Sequence, residues 1–187
     1  MLVNNYLDMD GLVCISADHY GGAVQATEYL CKLGHCKIGL LSGRFSPQVS
    51  EARIEGFVKT LAKYDIPVDD RFIADIEPAL EDGEEIMTRM LREVDRPTAF
   101  FCTNDTIAAG AMKAVTRQLR VPEDIAIIGF DDSYISRVVE PELTTVRIDA
   151  AKMGCLAMQT LFDLIAGMPV EKAHIQIPTE LIVRGTA

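Results

Sequence analysis

The sequence predicts an α/β fold built on a doubly wound parallel sheet. Short, almost wholly apolar runs alternate with longer stretches whose apolar residues recur at helical spacing. Gly and Pro fall between the two kinds of segment, where the chain must turn. The apolar runs lack the in–out alternation of a half-solvated sheet, so both faces of the sheet need helices over them. Crossovers between parallel strands are right-handed almost without exception.

Each element has a local reason. LVCISA (12–17) is a short apolar strand. In GGAVQATEYLCKLG (21–34), Ala23, Ala26, Leu30 and Leu33 share one helical face, and Gly34 is a stop. KIGLLSG (37–43) is a nearly continuous apolar strand. SEARIEGFVKTLAKY (50–64) is a helix opened by Ser50, with Ile54, Phe57, Leu61 and Tyr64 on one face, and Pro67 blocks its continuation. FIADI (72–76) is a strand, and EDGEEIMTRMLREV (81–94) a helix with Ile86, Met90 and Val94 inward and acidic residues at its positive end. TAFFCTN (98–104) is a strand, DTIAAGAMKAVTRQL (105–119) a helix, and VPED a turn. IAIIGFDD (125–132) is a strand ending in two carboxylates, followed by a loop to about Thr145. AAKMGCLAMQTLFDLIAG (150–167) is a long helix closed by Gly167 and Pro169. IQIPTELIV (175–183) is extended but interrupted by Pro178, which makes it an edge or crossing strand. Met87, Met90, Met153 and Met158 sit at helical spacing and read as core filler.

Composition sets outer bounds. The 187 residues (20.6 kDa) hold one domain, or one domain plus part of another. Apolar residues are 49%, enough for a core without staples. Against 18 Lys and Arg stand 28 Asp and Glu, a net charge of −10 with pI ≈ 4.7. Nucleic-acid affinity rests on clustered cations, so this chain alone is a poor partner for DNA, RNA or an anionic membrane. Cys14, Cys31, Cys36, Cys102 and Cys155 are odd in number and scattered, which suits a reducing compartment. No signal peptide opens the chain and no run spans a membrane, so the expected location is cytoplasmic.

In open parallel sheets, ligands bind at the carboxyl ends of the strands. The residues there are Asp18, Ser42 to Ser50, Glu77, Asn104 with Asp105, and Asp131 with Asp132. A carboxylate accepts from adjacent hydroxyls, a guanidinium donates in a fixed fork, and an amide does both. Asp131, Arg53 and Asn104 converging on one cleft would suit a neutral polyhydroxylated ligand. The competing reading is local: Asn104 and Asp105 cap the helix that follows, and Asp131 with Asp132 forms a turn.

Other patterns point to other chemistries. DMDG (8–11), with Asp8 as nucleophile, has the look of a Mg2+-dependent haloacid-dehalogenase-like phosphatase, with Thr103, Lys113 or Lys152, and Asp131 with Asp132 as remaining parts. The polar LVNNYL before it makes a poor central strand, and an Asp/Gly turn competes. Cys31, His35 and Cys36 invite zinc but lack a second ligand pair, so no metal is expected. Glycine-rich phosphate loops, the serine-hydrolase elbow and the zinc-protease motif are missing from the sequence, and no cofactor is expected.

SADHYGGA (16–23), LGHCKIGLLSG (33–43), EARIEGF (51–57), PTAFFCTNDTIAAGAM (97–112), VPEDIAIIGFDD (121–132), PELTTV (141–146) and TELIVR (179–184) occur in that order. Together they strongly resemble the effector-binding core of LacI/GalR-type bacterial transcription regulators, over essentially the whole chain. The resemblance implies a periplasmic-binding-protein-like fold, two α/β lobes joined by three crossings, with a small effector in the cleft. It implies a cleft lined by Asp18 from the N-terminal lobe and by Arg53, Asn104 and Asp131 from the C-terminal lobe. Ile148 and Ala150 would be apolar or variable cleft positions. Crossings are expected near 34–37, 145–150 and 170–176. The lobes divide as 1–35 (partial N-terminal lobe), 36–146 (C-terminal lobe), 147–171 (N-terminal-lobe helix) and 172–187 (crossing back).

The family's helix-turn-helix head and the first half of its N-terminal lobe have no counterpart here. The expectation is therefore a fragment with a complete C-terminal lobe and a partial N-terminal one. The helix faces of 21–34 and 150–166 would then lack partners. The implied function is ligand sensing rather than catalysis: an effector, a sugar or sugar derivative, controlling DNA binding through the absent head of a homodimer. A solute-binding protein of a sugar transporter is the main alternative, and the phosphatase a lesser one.

Overall fold

The computed structural model describes residues 1–7, 9–169 and 173–187. Two sheets organise it. The larger contains β3 (Ile38–Gly43), β4 (Ile73–Ile76), β5 (Ala99–Cys102), β6 (Ala126–Asp131), β7 (Thr144–Arg147) and β9 (Glu180–Ile182), in the order β4-β3-β5-β6-β7-β9. The smaller orders β1 (Leu2–Val3), β2 (Cys14–Ala17) and β8 (His174–Ile177) as β1-β2-β8. Every pairing is parallel except β7 with β9, so the larger sheet is mixed rather than purely parallel.

The large lobe has three layers. On one face α3 (Leu80–Met90) and α4 (Asp105–Val115) pack over Leu41, Phe72, Phe100 and Ile127. On the other, α1 (His19–Lys32) and α2 (Pro47–Lys63) pack over Leu40, Phe101, Ile128 and Val146. Leu40 and Leu41 thus serve opposite faces, which is why β3 is buried at every position. The small lobe has a modest core in which α5 (Ala150–Ile165) places Met153 and Ala157 on Ile15, Ala17 and Ile177.

The lobe boundaries differ from expectation. The helix assigned to the N-terminal lobe, α1, lies on the large sheet, with Ala23, Ala26 and Leu30 packed among Phe57, Leu61 and Phe101. The first crossing therefore falls between β2 and α1, at Asp18, rather than at 34–37. The second lies between β7 and α5. The third runs from β8 to β9 around Pro178, later than expected; residues 170–172 of the expected stretch lie outside those described. The 21–34 face is consequently covered, whereas on α5 Leu161, Phe162, Leu164 and Ile165 are exposed.

Several element ends also differ from expectation. Ser50 is inside α2, where its hydroxyl donates to Gly43 O and accepts from Phe45 N, tying helix to loop. Helix α3 stops at Met90, so Val94 is solvent-exposed rather than inward. Met158 is also exposed, while Met87, Met90 and Met153 are core.

Candidate functional site

The order β4-β3-β5-β6-β7 reverses direction between β3 and β5, and such a switch point opens a crevice at the strand carboxyl ends. Arg53 reaches into that crevice from α2. It is 3% exposed. Its Nη1 donates to Thr103 O, just past β5, and its Nη2 lies 3.3 Å from Asp131 Oδ1, at the end of β6. Nη2 is also 3.3 Å from His19 Nδ1. Phe130 and Phe45 hold the guanidinium by its faces, at 3.9 and 5.1 Å from the ring centroids.

Asp131 and Asp132 are adjacent but have different environments. Asp132 accepts from Arg184 at 2.5 Å, Arg147 at 2.7 Å and Ser136 at 3.1 Å. Burial pushes its carboxyl up, but the arginine hydrogen bonds outweigh that and hold it down at about 2. The Asp131 carboxylate has only Arg53 as a hydrogen-bond partner among the described residues. Burial pushes it up to about 6, against the pull of Arg53 and with a further push from Asp105. Both residues have left-handed backbone, with φ of 110° and 51°. Non-glycine residues adopt such angles at some cost, and that cost concentrates where side chains must be aimed. Asp105 is buried and occupied by Thr145 Oγ1 at 2.5 Å and Ser133 N at 2.6 Å.

Asn104 performs the capping that the competing reading assigned it, and Asp18 is a helix cap as well. Asn104 Oδ1 accepts from Ile107 N at 2.8 Å and caps α4. Its amide NH2 has no hydrogen bond among the described residues, so a donor pair remains at the cleft. Asp18 Oδ1 accepts from Gly21 N at 2.8 Å and caps α1 at the first crossing. A Cβ on residue 21 would sit 2.2 Å from Asp18 Oδ2, so any other residue there would push this carboxylate aside. Ile148, half-buried, touches the cores of both lobes; Ala150 opens α5 and is exposed.

The remaining strand-end residues divide. Arg44 pairs with Asp75 and Glu77 at the surface. Ser42 is buried on β3, and its hydroxyl has no partner among the described residues. Sequence reasoning took in Phe45 only within the Ser42 to Ser50 stretch and missed Phe130, His19 and Asn5. The last accepts from Ser46 Oγ at 2.8 Å and joins the lobes. The aromatic pair was legible only as apolar positions, and His19 only as the neighbour of Asp18. Cys31, His35 and Cys36 form no three-residue ligand cluster among the described residues, and His35 instead meets Thr98 at 2.8 Å. Asp8 lies outside the described residues, and Lys113 is taken by Glu84 at 2.7 Å.

Two α/β lobes, three chain crossings and a polar crevice at the switch point define a two-lobed α/β protein with an interlobe crevice. The chain belongs to the periplasmic binding protein-like domain family, whose model matches residues 27–187. It is 37% identical over 174 residues to the HTH-type transcriptional repressor PurR of Pasteurella multocida, covering 91% of this chain and 52% of that protein. It thus spans about half the length of the curated relatives it matches. A LacI-family regulatory protein from Chloroflexus aggregans superposes with a TM-score of 0.91 at 31% identity, over 99% of this chain and 66% of that one. A sugar-binding LacI-family transcriptional regulator from Escherichia coli, complexed with phosphate, gives 0.90 at 28% identity, over 100% and 67%. Relatives and structural neighbours are LacI-type regulators, and the effector-binding core is the part this chain resembles.

Proposed function

We propose that this chain is the sensing core of a LacI-type transcriptional regulator. A small polar effector binds between the lobes at Asp131, Arg53 and Asn104, with Asp18 beside the first crossing and Ile148 and Ala150 at the second. The single observation that carries this reading is the asymmetry of the two carboxylates closing β6. Asp132 is consumed by three arginines, whereas Asp131 retains acceptor capacity at the switch point beside a clamped guanidinium.

An ion pair with spare acceptors and a nearby amide suits vicinal hydroxyls, so a sugar or sugar derivative is the favoured effector class. The effector acts by differential contact with the two lobes, shifting the population of their relative orientations. In a dimer that shift reaches DNA through a head outside this chain, since the net charge of −10 makes these residues a poor partner for a phosphate backbone. The protein is a cytoplasmic sensor rather than a catalyst. The relatives are repressors, and no helix among the described residues is long and apolar enough to cross a membrane.

A thermal-shift screen of sugars, sugar phosphates, nucleobases and amino acids should produce a class that raises Tm. Calorimetric titration of the best hit should then show Asp131→Ala weakening binding about tenfold or more, since lost hydrogen bonds to a charged group cost ~1.5–3 kcal/mol. Equal affinity in the two proteins would overturn the assignment.

A further inference from the structure

Asp131 and Asp132 leave β6 with left-handed backbone, at φ of 110° and 51°, although neither is glycine. Such angles persist only where the surroundings over-determine them. Here the restraint traces to one side chain. Asp105, the first residue of α4, is fully buried. Its Oδ2 accepts from Ser133 N at 2.6 Å. Its Oδ1 accepts from Thr145 Oγ1, on β7, at 2.5 Å. The same Thr145 hydroxyl accepts from Asp132 N at 3.4 Å. The two peptide groups that follow Asp131 are thus held by a single carboxylate, one directly and one through a hydroxyl.

The sheet is shaped to admit this contact. A Cβ on residue 129 would sit 2.4 Å from Asp105 Oδ1, so Gly129 of β6 leaves the space that the carboxylate occupies. Burying a carboxylate is costly unless donors meet it. Burial pushes Asp105 upward, and the bonds from Thr145 and Ser133 pull it back. Asn104, its neighbour, caps α4 through Oδ1. One helix end therefore carries a cleft residue and, next to it, the anchor of the β6 turn.

We propose that Asp105 is a positioning residue for the effector site: it aims the Asp131 carboxylate at Arg53 and the crevice by pinning the left-handed turn, without touching the effector. The proposal rests on the effector reading of Asp131.

NMR on the effector-free 187-residue chain tests the pinning. The three-bond HN–Hα coupling of Asp131 is small at its present φ and large in extended backbone. Asp105→Asn keeps the shape, but an amide oxygen meets one donor while the NH2 is turned toward the other. This variant should raise the coupling. Val115→Ala, a core truncation at the far end of α4, should lower stability without moving it. If Asp105→Asn does not fold, Thr145→Val should raise the coupling, and Thr145→Ser, which returns the hydroxyl, should restore it. Calorimetry with the thermal-shift hit adds the functional arm. Asp105→Asn should weaken binding about threefold or more in the wild-type background and less than about twofold in Asp131→Ala, where nothing is left to aim. An unmoved coupling in folded Asp105→Asn or Thr145→Val, an equal rise in Val115→Ala, or additive losses in the double variant would overturn the proposal. If Asp131→Ala alone binds as wild type while the coupling moves, the effector reading fails and the pinning stands.

Discussion

At the residue scale, chemistry is decided by partners that are remote in sequence. The GFDD run announces two carboxylates at a strand end, but nothing local says which is spoken for. Arg184 and Arg147, 52 and 15 residues away, settle it by consuming Asp132. Asp132→Ala should therefore cost about 3–5 kcal/mol in urea unfolding, because it strands a largely buried arginine. A loss under about 1 kcal/mol would contradict that structural role. His19 gives a second prediction. Its folded pKa of about 3 lies below the unfolded value of about 6.5, so the folded chain takes up fewer protons between those values. Stability is lost as pH falls through that window. Relative to wild type, His19→Gln should gain about 2 kcal/mol on going from pH 7 to pH 5, measured by denaturation at each pH. Asp131 has the opposite sign, since its folded pKa is raised to about 6. Asp131→Asn should therefore lose stability relative to wild type over the same range. Asn104 and Asp131 were legible because strand ends are, and Arg53, inside α2, through the EARIEGF run of the resemblance. The aromatic clamp and the His19 imidazole were not, because both arise from tertiary contact.

At the element scale, periodicity located every long helix but could not say what each covers. Helices α1 and α5 have similar apolar faces, and the sequence placed both in one lobe. Only packing separates them: Leu30 is fully buried against α2 and β7 neighbours, while Phe162 and Ile165 are exposed. Leu30→Ala should cost about 2–5 kcal/mol, whereas Phe162→Ser with Ile165→Ser should change stability by less than about 0.5–1 kcal/mol. Similar losses for the two would mean that α5 is covered. Between α3 and α4 the critical residue is Gly110, where a Cβ would sit 2.0 Å from Leu80 O. Backbone cannot yield as a side-chain tip can, so Gly110→Ala should destabilise by roughly 1–3 kcal/mol despite the better helix propensity of alanine. Ends were the least legible feature. Helix α3 stops four residues before Val94, and Ser50 proved a tie between helix and loop rather than a cap.

At the scale of the whole molecule, the α/β class and the crossing character of the last segment followed from apolar runs and Pro178. The antiparallel β9 and the position of the first crossing did not. Both depend on which sheet a segment joins, and a strand of three or four residues carries no mark of that. The crossing at Asp18 matters most, because it puts α1, and with it His19, on the large lobe against Arg53 while β2 stays on the small one. A ligand at the switch point should therefore be felt in both lobes together. Hydrogen–deuterium exchange with the best thermal-shift hit measures that directly. The predicted result is slowed amide exchange at once in 14–22 at the joint and in 44–53, 102–107 and 129–135 at the strand ends. Protection confined to one lobe, or centred on α3 and α4 away from the crevice, would contradict it.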